Sequence, residues 1–495
     1  MLSVGGCDMR LLLRCLFWLL ISVQLLLADF ILLVYSWVTF SFGRPNFWQS
    51  LLHMNQGPSS LSPVQWMLFG ACFTGFLLVV GLSVLLVRML MRFLGKTGMR
   101  RLRHVIVLLL VSVGLAAVAL HVDRSWSISK ELSLRFEPTT FLSDNFRLIT
   151  CEDVVFPTEK TNLVVIVAES FEDTFTDEGR LGANLLPRLT VIRDRGLSFR
   201  GQLPVFGLGC TRMAQCAMLY GIPTVSYSFV SNPFSEEFGR QFPCRIPSLL
   251  ALLSAGGYSA AYVQGGSMDF VDTRGMFDDV PDLISFERKD FEKKYGAKAL
   301  KVSFGAQDEL LFPECRRILT ELASGDKPFV FMCKTVNTHN RCEYLPDDAP
   351  HPRGSAFENA LLNCDGLVGD FLDWLACQPF AGRTAVVVVG DHSYHGKIVD
   401  RNPSAPRQEF NLVIMPHGER KIIERQFATY DWAPTFLELI GCRIPDGRMG
   451  LGVSLLNPNT RTLLERFGFD RVDLEVRHYD KSYESLVYRA DPLTF

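Results

Sequence analysis

Three long apolar stretches near the amino terminus are the most prominent hydrophobic pattern in the sequence. Leu11–Phe40 contains only Arg14 and Asp29 as charged residues, Val64–Val87 contains none, and Val105–Leu120 consists of apolar residues, glycine and serine. A helix of about 20 apolar residues crosses a bilayer core of about 30 Å. The pattern therefore predicts three transmembrane helices, at about 15–40, 64–87 and 104–122.

Beyond residue 158, short apolar runs alternate with longer segments of helical character. The runs are NLVVIVA at 162–168, YSAAYVQ at 258–264, FVFMCKT at 329–335 and TAVVVVG at 384–390. Runs rich in Val, Ile and Phe are typical of strands that are buried on both faces of a parallel sheet. The alternation predicts an α/β fold, with candidate helices at 212–220, 246–254, 308–323 and 357–375.

These patterns divide the chain into four parts. We predict a transmembrane region over 1–122, a poorly periodic linker over 123–158, an α/β domain over 159–456 and a more charged carboxy-terminal extension over 457–495. In this interpretation the extension adds either edge strands or a helix, and its pattern does not choose between them.

Basic residues are distributed unevenly around the apolar stretches. Only Arg44 lies between the first and second stretches, whereas a basic run without acidic residues lies between the second and third. The run consists of Arg88, Arg92, Lys96, Arg100, Arg101 and Arg103. By the positive-inside rule this loop is cytoplasmic, which predicts a cytoplasmic amino terminus and an extracytoplasmic domain after about residue 122. Anchoring to lipid headgroups is an alternative explanation of the run and gives the same orientation.

Composition narrows the possible functions of the chain. With 48% hydrophobic and 21% charged residues, the 495-residue chain is too apolar for one soluble globule. A net charge of −2 argues against a nucleic-acid partner bound by bulk electrostatics. The 13 cysteines include no CxxC pair, so neither a disulfide scaffold nor structural zinc is indicated.

Polar residues lie at or just after the ends of the four apolar runs. They are Glu169-Ser170, Gln264, Asn337-Thr338-His339 and Asp391-His392. Ligands of open parallel sheets bind beyond the carboxyl ends of the strands, although a single polar residue there is more often a turn or a helix cap. Taken together, Glu169, Asp391 and His392 offer the oxygen and nitrogen donors that hold Mn²⁺, Mg²⁺ or Zn²⁺.

A candidate nucleophile lies in the segment GLGCTRMAQCAMLYG at 207–221. Gly207 and Gly209 permit a tight turn, after which Thr211 falls in the first turn of a candidate helix. A threonine hydroxyl is a weak nucleophile unless a metal or a base activates it, so Thr211 and the cation site form one hypothesis. The alternative is that Thr211 only caps the helix.

Four segments resemble the sulfatase-like branch of the alkaline phosphatase superfamily, and within it the membrane-bound phosphoglycerol transferases. That group includes lipoteichoic acid synthases and the transferases that modify periplasmic glucans. The segments are NLVVIVAESFEDTF, TVNTHNRCEY, VVVVGDHSYHG and FATYDWAPTFLELIGCRIPDGRMGLGVSLL, and together they span about 160–456. The resemblance implies a mostly parallel sheet sandwiched by helices, preceded by the transmembrane region.

The resemblance also implies roles for individual residues. The positions that match the family's metal ligands are Glu169, Thr211, Asp391 and His392, and His339 matches the histidine that contacts the phosphoryl group. Sulfatases carry a modified cysteine ten residues before a glycine, and here Gly221 lies ten residues after Thr211. The Pro and Arg of the sulfatase modification signal are replaced by Met213 and Gln215.

Threonine as the nucleophile resembles the phosphoglycerol and phosphoethanolamine transferases. Glu169-Ser170 and Gly390-Asp391-His392 look like the phosphoglycerol type, whereas the phosphoethanolamine type usually reads Gly-Glu-Thr and Ser-Asp-His-Gly. Arg212, Gln264 and Arg274 are expected to bind substrate, with Arg274 matching the family's headgroup segment only loosely. An ordinary surface arginine is the alternative interpretation of Arg274.

The function that this resemblance implies is a two-step transfer at a bacterial inner membrane. Thr211 attacks phosphatidylglycerol and expels diacylglycerol, and an envelope glycan acceptor then takes the phosphoglycerol from threonine. His339 stabilises the oxyanion or passes a proton to a leaving group, and one divalent ion, Mn²⁺ in the first instance, neutralises phosphoryl charge. The rival hypotheses are a phosphoethanolamine transferase, a phosphodiesterase and a membrane-tethered binding protein without turnover.

The sequence allows two interpretations for each of three further residues near the motifs. His395 is interpreted as a solvated loop histidine in preference to a group that supports the metal ligands. Cys210 and Cys216 flank Thr211 and are either buried thiols or a disulfide, which an extracytoplasmic location permits without requiring.

Overall fold

The structure, a computed structural model, describes residues 9–42, 63–99, 101–224, 246–270, 273–340, 343–416, 418 and 420–487. Two compact units make up the chain, Met1–Ser133 and Leu134–Phe495. Arg44 and Arg100, on which part of the orientation argument depends, lie outside the described residues.

The first unit contains long apolar helices. They are α1 (Met9–Phe42), α2 (Pro63–Lys96) and α3 (Arg103–Trp126), followed by the short α4 (Ile128–Arg135). Among the described residues, Leu11–Ser41, Trp66–Lys96 and Arg103–Trp126 are long and apolar enough to cross a membrane. Each helix is longer than its predicted span, and α3 continues through Trp126 into the segment expected to be a linker.

The membrane-span helices contact one another through a limited apolar seam. Phe17 and Ile21 of α1 pack with Val87 and Met91 of α2 and Val107 of α3. Much of the remaining apolar surface of these helices is exposed; Leu78, for example, is 70% exposed. Such a surface suits a lipid environment, in which exposed leucine costs nothing.

The second unit is built on an eight-stranded sheet with the order β4-β3-β5-β1-β6-β7-β2-β8. Its strands are β1 (Asn162–Ala168), β2 (Leu197–Gln202), β3 (Ser259–Gln264), β4 (Ile284–Phe286), β5 (Phe329–Lys334), β6 (Thr384–Gly390), β7 (Asn411–Ile414) and β8 (Lys421–Phe427). A separate ribbon pairs β9 (Arg448–Met449) with β10 (Gly452–Val453). Strand β7 is antiparallel to both neighbours, and the other described pairings in the large sheet are parallel.

The four apolar runs form the centre of this sheet, as predicted. Every residue of β1 and β6 is buried, and the two strands pair in parallel along their whole length. Val164 and Ile166 point into the larger core on one face, and the alternate residues Val165 and Val167 are buried on the other face. The mostly parallel, two-sided α/β architecture is therefore confirmed.

Helices cover both faces of the sheet. In chain order they are α5 (Phe141–Asn145), α6 (Glu178–Leu181), α7 (Pro187–Arg193), α8 (Thr211–Tyr220), α9 (Leu249–Ala255), α10 (Arg288–Tyr295), α11 (Asp308–Ala323), α12 (Ala356–Ala376), α13 (Trp432–Leu439), α14 (Leu463–Phe467), α15 (Phe469–Arg477) and α16 (Lys481–Val487). The helix expected over 246–254 begins later, at Leu249, because the Ser248 hydroxyl accepts a hydrogen bond from the backbone of Ala251 and caps it.

The segment expected to be a linker and the carboxy-terminal extension are both part of the second unit. Thr139 donates a hydrogen bond of 2.7 Å to Glu475, and the backbone and hydroxyl of Ser143 donate to Asp480 at 2.8 and 2.9 Å. The described part of the extension forms helices rather than edge strands. The compact unit therefore begins at Leu134 rather than at residue 159.

Candidate active site

The centre of the site is the point where β1 and β6 end side by side. Ala168 and Gly390 are paired in register, so Glu169 and Asp391 leave the sheet together. A side chain at position 390 would place its Cβ 2.0 Å from the Phe171 carbonyl oxygen, and therefore only glycine fits before Asp391. Ser170 adopts a φ of 57°, which directs its backbone N–H to the Asp391 carboxylate at 2.8 Å.

Helix α8 brings the third segment of chain to the same point. Thr211 is its first residue, and its hydroxyl donates to Glu169 Oε2 at 3.0 Å and lies 3.3 Å from His392 Nε2. The N-cap position is Cys210, which has no side-chain capping bond. Thr211 is therefore not the helix cap, and its hydroxyl faces the acidic and imidazole groups.

The side chains around Thr211 fit a divalent cation. Glu169, Asp391 and His392 each place one ligand atom within 4.8 Å of the others, and all three are buried. Asp391 Oδ1 accepts backbone hydrogen bonds from Ser170 and His392, whereas Asp391 Oδ2 is buried without a hydrogen-bond partner among the described residues. A buried carboxylate oxygen with no donor is costly, and a bound cation supplies the missing partner.

The two carboxylates differ in their proton affinity. Burial alone would raise the pKa of Glu169, but the charges of His339, His392 and Lys334 outweigh it and lower the pKa to about 2. Burial and the Glu169 charge raise the pKa of Asp391 to about 6. Burial opposes protonation of His392, but the charges of Asp391 and Glu169 raise its pKa. Close carboxylates share protons unequally, as in other paired acid sites.

His339 lies in the loop that follows β5. Its Nδ1 is 3.1 Å from the Asn340 carbonyl oxygen, and its ring packs against Phe304 with centroids 4.6 Å apart. Burial is the main cause that lowers the pKa of His339, so the imidazole is neutral at neutral pH. The charge of His339 is one of the causes that lower the pKa of Glu169.

Three hydroxyl residues support the site; the sequence pointed to Ser170 and Thr338 as polar residues at strand ends but not to Thr335. Thr335 accepts a hydrogen bond from the Glu169 backbone at 2.9 Å, and Thr338 donates to the Glu169 carbonyl at 2.5 Å. Ser170 donates to Glu169 Oε1 at 2.7 Å. Their position directly after β5 and β1 was the available signal, since strand-end hydroxyls at a shared sheet edge are within reach of one another.

The surroundings of Thr211 also settle two of the open alternatives. The His395 ring remains exposed but stacks on His392, with centroids 4.6 Å apart, and its Nε2 lies 2.9 Å from the Gly209 carbonyl oxygen. It packs against a candidate metal ligand and is not a freely solvated loop residue. Cys210 and Cys216 are both free thiols, and burial raises the pKa of each to about 11.

The expected substrate-binding residues are dispersed. Gln264 accepts a hydrogen bond from the Tyr262 hydroxyl at 2.9 Å, and Arg212 is buried within α8. Arg274 is paired with Asp269 at 2.9 Å and with Glu287 at 2.5 Å. No described contact joins Arg274 to Thr211 or to the metal ligands, and the substrate role of all three residues stays a prediction.

The structure of the chain is similar to several solved structures. A protein of the alkaline phosphatase superfamily from Vibrio parahaemolyticus is 22% identical, with a TM-score of 0.52 over 67% of this chain and 79% of that one. The lipoteichoic acid synthase LtaP from Listeria monocytogenes is 19% identical, with a TM-score of 0.50 over 64% and 81%. Phosphoethanolamine transferase A from Neisseria meningitidis is 12% identical, with a TM-score of 0.45 over 84% and 83%.

The family assignment comes from the sequence of the second unit. A comparison with curated proteins finds no match to the chain. The model of the sulfatase family matches residues 161–442, which begin just before β1 and end just after α13. That range includes every residue of the Thr211 site and more than half of the chain. The chain therefore belongs to the sulfatase family.

Proposed function

We propose that the chain is a membrane-anchored transferase that moves phosphoglycerol from phosphatidylglycerol to an envelope glycan through Thr211. The observation that carries the proposal is the Thr211 hydroxyl, which is hydrogen-bonded to Glu169 and adjacent to His392. A structural threonine would cap its helix or bond to the backbone. This one is directed at the groups suited to hold a cation.

In this mechanism Glu169, Asp391 and His392 would hold the cation beside the Thr211 hydroxyl. A bound divalent ion favours deprotonation of a coordinated hydroxyl and neutralises phosphoryl charge. Glu169 orients the Thr211 oxygen for attack on phosphorus, which forms a threonine–phosphorus bond and breaks the bond to diacylglycerol. An acceptor hydroxyl then attacks the same phosphorus and releases Thr211. The neutral imidazole of His339 is suited to accept the proton that the attacking hydroxyl loses and then, once protonated, to return it to the departing oxygen, so that each step balances.

The choice of phosphoglycerol is supported by the residues around the ligands. Glu169-Ser170 and Gly390-Asp391-His392 match the phosphoglycerol type, and the Ser170 and Gly390 positions have specific geometric roles here. The fold shared with a lipoteichoic acid synthase is compatible with this choice. Phosphoethanolamine transfer remains the rival chemistry.

The proposed location is the bacterial inner membrane, with the sulfatase-family unit on the extracytoplasmic side. Three helices suited to spanning a bilayer and the basic residues at Arg88, Arg92 and Lys96 support this orientation. A membrane anchor suits a lipid donor. We propose Mn²⁺ as the ion, because carboxylate and imidazole ligands are both common for Mn²⁺.

The experiment is intact-mass analysis of the full chain in lipid nanodiscs that contain phosphatidylglycerol and Mn²⁺, followed by peptide mapping. We expect a glycerophosphate adduct on Thr211 that is absent from Thr211→Ala and present in the neighbouring control Cys210→Ala. An adduct on Cys210, or none on any residue, would contradict the mechanism. A phosphoethanolamine adduct from phosphatidylethanolamine nanodiscs would instead support the rival chemistry.

A further inference from the structure

Lys334 is an unusual residue for the centre of the sheet. It is the last residue of β5, in which Phe329 to Cys333 are all buried and apolar, and it is itself half-buried. Among the described residues its ammonium group has no hydrogen bond or ion pair. A half-buried ammonium group that has no partner among the described side chains is available to bind an anion.

The register of the sheet shows which way Lys334 points. It pairs with Val167 of β1 on one side and Gln264 of β3 on the other. Because side chains alternate along a strand, and Cys333 lies in the larger core, Lys334 lies on the opposite face. That face is the one on which Tyr262 contacts Gln215 of α8, the helix that begins at Thr211.

The sheet register places Lys334 close to the reaction centre, because it pairs with Val167, two residues before Glu169, and the next residue, Thr335, accepts a hydrogen bond from the Glu169 backbone at 2.9 Å. Burial raises the pKa of Glu169, and the charges of His339 and His392 lower it. The charge of Lys334 lowers the same pKa and is the next largest effect. Lys334 also interacts with His339. The lysine is therefore near both the metal ligands and the expected proton donor, yet bonded to neither.

The balance of charges at the site indicates a role for Lys334. A divalent cation held by the carboxylates of Glu169 and Asp391 has no net positive charge left for a phosphodiester anion. We propose that Lys334 binds a non-bridging oxygen of the phosphoryl group that is transferred, on the side of the site near His339. Lysine is a common point-charge ligand for phosphate oxygens. This inference rests on the proposed function, but it requires only a phosphoryl group and not a particular headgroup.

The test compares Lys334→Gln with Lys327→Gln in the full chain in detergent, loaded with Mn²⁺. Lys327 is exposed and precedes the opposite end of the same strand, so it controls for loss of a lysine charge. With inorganic phosphate as the probe, calorimetry should show binding about tenfold weaker for Lys334→Gln, unchanged for Lys327→Gln and largely retained for Lys334→Arg. Unchanged phosphate affinity in Lys334→Gln, or no phosphate binding by the wild-type chain, would overturn the inference.

A second measurement separates phosphate binding from a structural role. Removing a positive charge beside Glu169 should leave Mn²⁺ affinity unchanged or increase it. For bis(p-nitrophenyl) phosphate, Lys334→Gln should raise KM and lower kcat, whereas partial unfolding would lower kcat alone. A parallel loss of Mn²⁺ affinity and thermal stability in Lys334→Gln would show that the lysine is structural and would overturn the inference.

These results are independent of the donor experiment. If the Thr211 adduct does not form from phosphatidylglycerol but Lys334→Gln still loses phosphate affinity, the proposed donor is wrong and the phosphate site stands. If the adduct forms and phosphate affinity is unaffected, the assignment of Lys334 is wrong and the transfer mechanism stands.

Discussion

The carboxylate of Asp391 has two oxygens in different situations. Oδ1 is fixed by the backbones of Ser170 and His392, whereas Oδ2 has no donor among the described residues. Burial and the neighbouring Glu169 charge make this group harder to ionise than an ordinary aspartate. Proton and cation therefore compete for the same oxygen.

This competition predicts the pH dependence of metal binding. The pKa of Asp391 is raised to about 6, so the proton is bound below that pH and released above it. We expect Mn²⁺ affinity to fall by at least about tenfold per pH unit below pH 6 and to level off at higher pH, because His392 must also release a proton. Calorimetric titration across this range measures the slope.

Asp391→Asn is the matched control for the titration, because it keeps the shape of the side chain without a titrating group. It should bind Mn²⁺ more weakly, and its affinity should depend less steeply on pH. Equal slopes for the two proteins would assign the proton to another residue.

At the scale of single residues, the sequence identified the four residues that lie together in the candidate active site, but not the contacts that orient them. Glu169, Thr211, Asp391 and His392 were accessible because strand ends converge and because their motifs resemble those of the family. The hydrogen bonds of Glu169 with Thr335 and Thr338 depend on the directions of side chains after β5, which neither periodicity nor residue type determines. Lys334 was overlooked because a charged last residue of a strand resembles an ordinary boundary.

Among the elements, α8 and β3 are joined by a buried chain of hydrogen bonds. Gln215 donates to the Tyr262 hydroxyl at 2.8 Å, and that hydroxyl donates to Gln264 at 2.9 Å. Gln215 lies four residues after Thr211, on the same face of the helix. The chain of bonds therefore fixes the rotation of the helix that carries the nucleophile.

Tyr262→Phe should disturb both stability and turnover. Loss of the hydroxyl leaves the amides of Gln215 and Gln264 without this partner in a buried place, which costs about 1–3 kcal/mol of unfolding free energy. We expect kcat for phosphodiester cleavage to fall, because Thr211 is less firmly oriented. Denaturation and steady-state kinetics of the full chain test this expectation.

Tyr258→Phe provides the comparison. The Tyr258 hydroxyl donates to the Thr161 carbonyl at 3.1 Å. Tyr258 directly precedes β3, so it lies at the end of the strand opposite to Gln264. It should lose stability without a comparable loss of kcat. An equal fall in kcat in both variants would show that the Gln215–Tyr262–Gln264 bonds do not act on Thr211.

The element pattern was predictable where strands are buried on both faces. β1 and β6 have the predicted limits, and helix α11 begins and ends where its periodicity indicated. Strands β2 and β8 were not predicted, because they contain exposed polar residues. The sequence of β8, KIIERQF, is an example. Their pairing depends on tertiary neighbours, so a local apolar run was not available as a signal.

In the second unit as a whole, Arg425 connects the sheet to the carboxy-terminal helices. From β8 it binds Glu465 of α14 at 2.6 Å and donates to the carbonyl groups of Ser454, Asn457 and Thr460. The Arg425 side chain is only 10% exposed. The extension is thus part of the folded unit, which its charged sequence alone did not reveal.

Arg425→Met should destabilise the second unit by about 3 kcal/mol, because it leaves Glu465 and several carbonyl groups without their cationic donor. Urea denaturation of the full chain in detergent, followed by the fluorescence of buried Trp432, measures the change. Arg471→Met is the control, since its contact with Glu475 is long, at 3.9 Å, and its side chain is 59% exposed. Equal destabilisation by both substitutions would contradict the assigned role of Arg425.

The bonds from Thr139 to Glu475 and from Ser143 to Asp480 join residues that are 336 and 337 positions apart. A ribosome makes the first member of each pair long before the second. The polar groups of Thr139 and Ser143 must therefore be hydrogen-bonded to water or to a chaperone until Glu475 and Asp480 have been synthesised. A chain that stalls shortly before residue 475 would contain every residue of the reaction centre and still leave the start of its folded unit open to proteases.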